Sequence, residues 1–150
     1  MPVSLVRILS TFFYIGFFPV APGTLASAAG VVLVIAFSQS IALYIGATIV
    51  LTILGFMVSG RAEEVFKRKD PGFVVIDEVV GILISFFMLP LSWPVIIITF
   101  FLFRAFDMFK IYPANILESR HGATGIMMDD VVAGLYTNFV MHAALYILIK

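Results

Sequence analysis

The sequence has no cysteine. That excludes disulfides, thiolate metal sites and cysteine-phosphate chemistry together. With only two histidines, the paired-histidine pattern of some lipid phosphatases is missing as well. No Asp-x-Asp-x-Thr phosphoaspartate motif and no P-loop glycine-lysine motif is present. Charge is scarce: Asp, Glu, Lys and Arg make up 12% of the chain, where an ordinary soluble domain carries about 25%. Nine basic residues balance nine acidic ones, so bulk attraction to nucleic acid is not expected.

What is present in excess is apolar surface. Of 150 residues, 62% are hydrophobic, and a small domain cannot bury that much inside itself. The bilayer is the natural solvent for the remainder. The expected fold is all-α: a single membrane domain over residues 1–150, a polytopic helical bundle with about five membrane segments and an N-terminal interfacial helix. Residues 3–18 read as that interfacial helix, and the breaker cluster 19–24 follows. Arg7, an apolar run and Ala26-Ser27-Ala28 loosely imitate a signal peptide. Pro19, Pro22 and Gly23 interrupt the run, and further hydrophobic segments follow. The apolar segments are 25–37, 41–58, 79–89, 95–103 and 131–149. The middle pair is short for a crossing, which takes about 20 residues. It spans only if its helices begin near Val75 and end near Phe109.

If the segments alternate across the bilayer, the cluster 19–24 and the polar stretches 59–78 and 104–130 share one side. All nine acidic residues, and every basic residue except Lys150, then lie on or near one face. The positive-inside rule makes that face cytoplasmic. The Lys67-Arg68-Lys69 run reads as topology and attraction to anionic lipid.

Three acidic groups stand against strongly apolar neighbours: Asp77-Glu78, Asp107, and Asp129-Asp130. The first and third echo each other, an acid pair followed by two valines and then a glycine or small residue, each read as the start of a hydrophobic helix. Acids at a helix N-terminus are favoured as caps and by the macrodipole. Adjacent acids repel, however, and a cap needs only one. Carboxylates embedded in apolar runs are costly and point to function. Five carboxylates with no thiol describe a site for a hard cation, Mg²⁺ or Mn²⁺ rather than Zn²⁺.

Arg104, Asp107 and Lys110 recur at i, i+3 and i+6, within roughly 120° of helical arc. Two cations bracketing a carboxylate suit a phosphate held beside a metal; the plainer reading is an intrahelical ion-pair row. Pro22-Gly23-Thr24 precedes a helix and offers either an anion site at a helix N-terminus or an ordinary N-cap. His121 reads as a solvated loop residue or a proton donor, and His142 as a packed mid-helix residue.

These residues resemble the phosphatidylglycerophosphatase A family. The matching stretches are Pro22-Gly23-Thr24-Leu25-Ala26-Ser27, Ile76-Asp77-Glu78-Val79-Val80-Gly81, 103–110 with Pro113, and 125–134. They occur in the family's order across most of the chain. One departure is Lys110-Ile111-Tyr112-Pro113, where the family usually shows Lys-Pro-x-Pro. The change is expected to alter the helix end and leave the charges alone. The resemblance implies a lipid phosphatase of the bacterial inner membrane, multi-pass, with phospholipid substrate in the bilayer. It implies Mg²⁺-dependent removal of the terminal phosphate of phosphatidylglycerophosphate to give phosphatidylglycerol.

On that reading Asp77, Glu78, Asp107, Asp129 and Asp130 hold one or two Mg²⁺. Asp107, Asp129 and Asp130 are the catalytic residues, and Arg104, Lys110 and Thr24 bind phosphate. Water or an aspartate attacks phosphorus in line at the cytoplasmic interface. The alternatives are a small cation or proton transporter using the same carboxylates, and a non-catalytic membrane subunit whose acids cap helices.

Overall fold

A computed structural model describes residues 1–68, 71–118 and 122–149. Lys69, Asp70, Arg120, His121 and Lys150 lie outside the described residues, and so does the reading of His121 as a proton donor. Among the described residues the fold is helical with no strand. The elements are α1 (Val3–Ser10), a 3₁₀ turn (Ile15–Phe17), α2 (Pro22–Phe37), α3 (Ile41–Phe66), α4 (Ile76–Ser85), α5 (Trp93–Phe109), α6 (Ala114–Glu118) and α7 (Ala123–Ile149).

The short α4 is the hub. Ile76, Val79, Val80, Ile82 and Leu83 are each at most 1% exposed, so this helix is apolar all round because protein surrounds it all round. It packs most extensively on α7, then on α2 and α3. Small residues set these approaches. A Cβ added to Gly134 would come 2.6 Å from the Gly81 carbonyl oxygen and one added to Gly30 would meet Ile82 at 2.9 Å; between α3 and α7, one added to Gly55 would meet Met127 at 2.5 Å. The start of α4 is anchored to the N-terminal segment, where the Val75 N–H donates to the Ser10 carbonyl at 2.9 Å.

Five membrane crossings are not supported. Among the described residues two helices, α3 and α7, are long and apolar enough to cross a membrane. The middle pair begins and ends where a spanning pair would have to, at Ile76 and Phe109. But α4 stops after ten residues, about 15 Å of helix against a hydrocarbon core of about 30 Å. The 16 residues of α2 and the 17 of α5 give only about 24–26 Å. Where α4 ends, Ile82 O and Ile84 O accept from the Phe86 and Phe87 N–H groups at 3.1 and 3.2 Å, and side chains supply the remaining donors. The Tyr44 hydroxyl donates to Leu83 O at 2.5 Å, and the Asn138 amide donates to Ser85 O and Phe87 O at 3.0 and 2.8 Å. His142, expected to be packed, is exposed and places Nε2 3.1 Å from Phe87 O.

The exterior of α3 and α7 is apolar. Ile45, Ile49, Ile53 and Met57 on α3, and Leu135, Phe139 and Ile147 on α7, are all exposed. Only 17% and 22% of the most apolar stretches of α3 and α7 are buried. A core helix of a soluble protein would be covered; these two present the continuous apolar surface that suits lipid.

Candidate active site

Three helices bring the acidic groups to one end of the bundle. Asp77 and Glu78 occupy the first turn of α4, whose N-cap residue Val75 makes no side-chain cap. Arg104 and Asp107 stand near the end of α5, and Lys110 is its C-cap, with a left-handed φ of 47°. Asp129 and Asp130 lie well inside α7, which begins at Ala123. They are not at a helix start, as the echo with Asp77-Glu78 suggested. At that depth the helix has no free N–H groups to cap, so capping does not explain them.

The arrangement is a pair of carboxylate clusters joined at one residue. One oxygen each from Asp77, Glu78 and Asp130 lie within 4.8 Å of one another, as do one each from Asp107, Asp129 and Asp130. Asp77, Asp129 and Asp130 are 9%, 5% and 2% exposed. Asp77 Oδ1, Glu78 Oε2, Asp129 Oδ1 and Asp130 Oδ1 are buried without a hydrogen-bond partner. Buried carboxylate oxygens normally have partners, and leaving them bare is costly. Burial raises the Asp77 carboxyl well above its usual range, and the neighbouring Glu78 and Asp130 charges push it further. Burial also raises Glu78, opposed in part by its contact with Asp77 and by the Arg104 charge. Crowded, oxygen-only and bare, the group has the donor set of a hard divalent cation.

Cations line one side. Arg104 Nη1 donates to Asp107 Oδ2 at 2.5 Å. Lys110 Nζ lies 3.8 Å from Asp107 Oδ1 and pairs closely with Asp129 Oδ2 on α7. Burial alone would lower the Lys110 pKa, but Asp129, Asp130 and Asp107 hold it above the ordinary lysine range. The row on α5 is therefore an ion-pair row in part, yet Lys110 leaves the helix and bridges to another one.

The start of α2 closes the remaining side. Ala21 is its N-cap and Pro22 its first residue, so Thr24 is not a cap. A Cβ on Gly23 would come 2.3 Å from Glu78 Oε1 and 3.5 Å from Arg104 Nη1. The anion facing this helix N-terminus is thus the Glu78 carboxylate, where the macrodipole favours it. Thr24 is half-buried one residue on.

The structure brings Asp77, Glu78, Arg104, Asp107, Lys110, Asp129 and Asp130 together, and it sets Gly23 beside them. Gly81 and Gly134 stand in the matching sequence stretches, but their role in closing the α4–α7 contact was not read from them. Gly81 and Gly134 each follow an aspartate by four residues, one helical turn, and that spacing was the available signal.

The family model for phosphatidylglycerophosphatase A matches residues 8–145. A protein of Bacteroides thetaiotaomicron, provisionally named a phosphatidylinositol-3-phosphatase, is 34% identical and covers 98% of both chains. The phosphatidylglycerophosphatase A of Haemophilus influenzae is 34% identical over 94% of this chain and 89% of its own. That of Escherichia coli is 28% identical over 91% and 81%. No solved structure gives a match. Through the match over residues 8–145 and relatives aligned along nearly their whole length, this chain belongs to the phosphatidylglycerophosphatase A family.

Proposed function

We propose that the protein is a membrane lipid phosphatase that hydrolyses the terminal phosphomonoester of phosphatidylglycerophosphate to phosphatidylglycerol and phosphate. The observation that carries this is four bare, buried carboxylate oxygens on Asp77, Glu78, Asp129 and Asp130, with Arg104 and Lys110 at the same place. Family membership supplies the lipid substrate class; comparison gives no support to the transport alternative.

Asp77, Glu78, Asp107, Asp129 and Asp130 would hold Mg²⁺, or Mn²⁺ in its place. When bound, such an ion sets positive charge against the phosphoryl oxygens and activates water. Hydrolysis breaks the P–O bond to the headgroup glycerol, forms one to the water oxygen, and moves a water proton to the departing alcohol. Arg104 contributes charge-assisted donors to the phosphate: a guanidinium carries five N–H groups, and the bond to Asp107 uses one. Lys110 adds a point charge. Asp107 orients both cations through its two oxygens. Thr24, beside Gly23, would offer its hydroxyl to the phosphate on the α2 side.

The placement suits a lipid headgroup. Basic residues Arg61, Lys67 and Arg68 crowd the end of α3, which meets the start of α7, where Glu63 Oε2 accepts from the Gly122 N–H at 3.0 Å. The positive-inside rule makes this end cytoplasmic, in a bacterial inner membrane.

The test is phosphate release by purified protein in mixed micelles, with and without Mg²⁺. Phosphatidylglycerophosphate, phosphatidylinositol 3-phosphate and soluble glycerol 3-phosphate are offered in parallel. Mg²⁺-dependent release, fastest from phosphatidylglycerophosphate, is expected. Faster release from the inositol lipid would reassign the headgroup, and release from none would end the proposal.

A further inference from the structure

Below the site, α2 and α5 line an apolar groove of about 250 Å³. Val31, Ile96 and Phe100 are half-buried against the core and form its floor. Ala28, Ile97 and Phe101 are exposed and form its rims. At the top the same two helices meet at Gly23 and Arg104. The helices run in opposite directions, since α2 starts at the site and α5 ends there. Counting along α2 at the helical rise, Ala28 and Val31 lie about 7–12 Å beyond Gly23. Counting back along α5, the groove residues lie about 5–12 Å from Arg104. The two counts agree: an apolar channel begins roughly one turn below the phosphate-facing cation and continues away from it.

A second groove of similar size, about 230 Å³, includes Ile45, Ile49, Leu83 and Leu135. Its walls come from α3, α4 and α7; Leu83 and Leu135 lie about 7–8 Å along their helices from Glu78 and Asp130, so this groove approaches the carboxylates, whereas neither Arg104 nor Lys110 stands on its helices.

We infer that the α2–α5 groove is the acyl-chain subsite of the enzyme, seating one fatty-acid tail of the phosphorylated glycerolipid while its phosphate lies at Arg104 and Lys110. The inference rests on the lipid phosphatase reading above. A phosphomonoester lipid is an anionic head joined to an apolar tail, and here an apolar groove lies between the two helices that meet at Gly23 and the cation Arg104. The groove supplies binding energy remote from the reacting atoms, which fixes the phosphate against the carboxylates. Ala28 keeps the rim open because its side chain is small.

The test uses the full-length protein and phosphatidylglycerophosphate carrying a diazirine on one acyl chain, irradiated without Mg²⁺ so that binding is read apart from turnover. Adducts should concentrate on Val31, Ile97 and Phe100, and unlabelled phosphatidylglycerophosphate should compete them away. Adducts spread evenly over the outer faces of α3 and α7, or gathered at Ile45, Ile49 and Leu135, would overturn the assignment. The kinetic counterpart is Ala28→Trp, which fills the rim. The ratio of kcat/KM for long-chain over dihexanoyl substrate should fall about tenfold, the loss of roughly two methylenes' burial. Ile49→Trp, in the other groove, should leave that ratio at the wild-type value. An unchanged ratio in Ala28→Trp refutes the subsite while leaving the phosphatase reading intact. Labelling at the groove with no phosphate release from any lipid refutes the phosphatase reading alone.

Discussion

Gly134 of α7 packs against Gly81 of α4 so closely that a Cβ on Gly134 would sit 2.6 Å from the Gly81 carbonyl oxygen. Asp77 precedes Gly81 by four residues and Asp130 precedes Gly134 by four. Each aspartate therefore stands one turn from the crossing on the face that looks at the partner helix. Both helices start at the same end of the bundle, so the contact lays the two acid pairs side by side. The glycines let the carboxylates of α4 and α7 meet, although neither carries a polar side chain.

Gly134→Ala should consequently act on both fold and chemistry. The obstacle is backbone, which cannot rotate away, so α4 and α7 must separate. A loss of about 1–3 kcal/mol is expected, as for other overpacked contacts, with phosphate release falling at least about tenfold. Gly46→Ala is the control. It lies in α3 with nothing within 4 Å of the added Cβ, and helix propensity favours alanine by about 0.5–1 kcal/mol. Thermal unfolding in detergent, beside an activity assay, checks both. Equal effects in the two variants would mean that the crossing is not what assembles the site.

Asp130 joins the two carboxylate clusters, and its Oδ1 is buried without a partner. In Mg²⁺-free protein Asp130→Asn should raise Tm, because it removes one of several crowded buried charges. With Mg²⁺ the order should reverse. At a hundredfold excess over Kd the ion stabilises a binding protein by about 2.7 kcal/mol, and the variant should lose most of that. Melting curves of both proteins with EDTA and with Mg²⁺ give four values. The crossing of the two pairs is the expected signature, and a parallel shift would contradict it.

Asn138→Leu tests the support for the interrupted helix. Its amide donates to Ser85 O and Phe87 O at the end of α4, where the chain lacks helical partners. Removing it should cost about 1 kcal/mol, the usual size of such a bond between membrane helices. The Mg²⁺ dependence of activity should stay unchanged, since the substitution lies at the other end of α4 from Asp77. Calorimetry and a Mg²⁺ titration separate the two effects.

Arg104→Lys keeps the charge and loses the planar fork. Phosphate binding that uses several guanidinium donors should weaken, raising KM for phosphatidylglycerophosphate about tenfold. An unchanged KM would leave Arg104 as the partner of Asp107 and nothing more.

The acidic constellation was legible because carboxylates stand out against so apolar a background, and because the stretches around them resemble a family whose model matches residues 8–145. Two features were not. Asp129 and Asp130 read as a helix start because Ser119 to Gly125 is polar and glycine-rich; α7 nevertheless begins at Ala123, since Gly125 is tolerated within a long packed helix. The end of α4 at Ser85 was equally hidden. The apolar run continues through Leu89 to Pro90, yet the helix stops inside it, where Tyr44 and Asn138, distant in sequence, donate to the carbonyls of Leu83 and Ser85. Hydropathy counts apolar residues and cannot see such partners. That is why five segments were expected where two helices are long and apolar enough to cross.

The carboxylates of α4, α5 and α7 are proposed to form one Mg²⁺ site that removes phosphate from a lipid headgroup. A Mg²⁺ titration of phosphate release from phosphatidylglycerophosphate tests it most directly, run on the wild type, Asp107→Asn and Asp129→Asn. Saturable Mg²⁺ dependence is expected in the wild type, with at least about a hundredfold loss in each folded variant. Mg²⁺-dependent release that survives in both variants would contradict it.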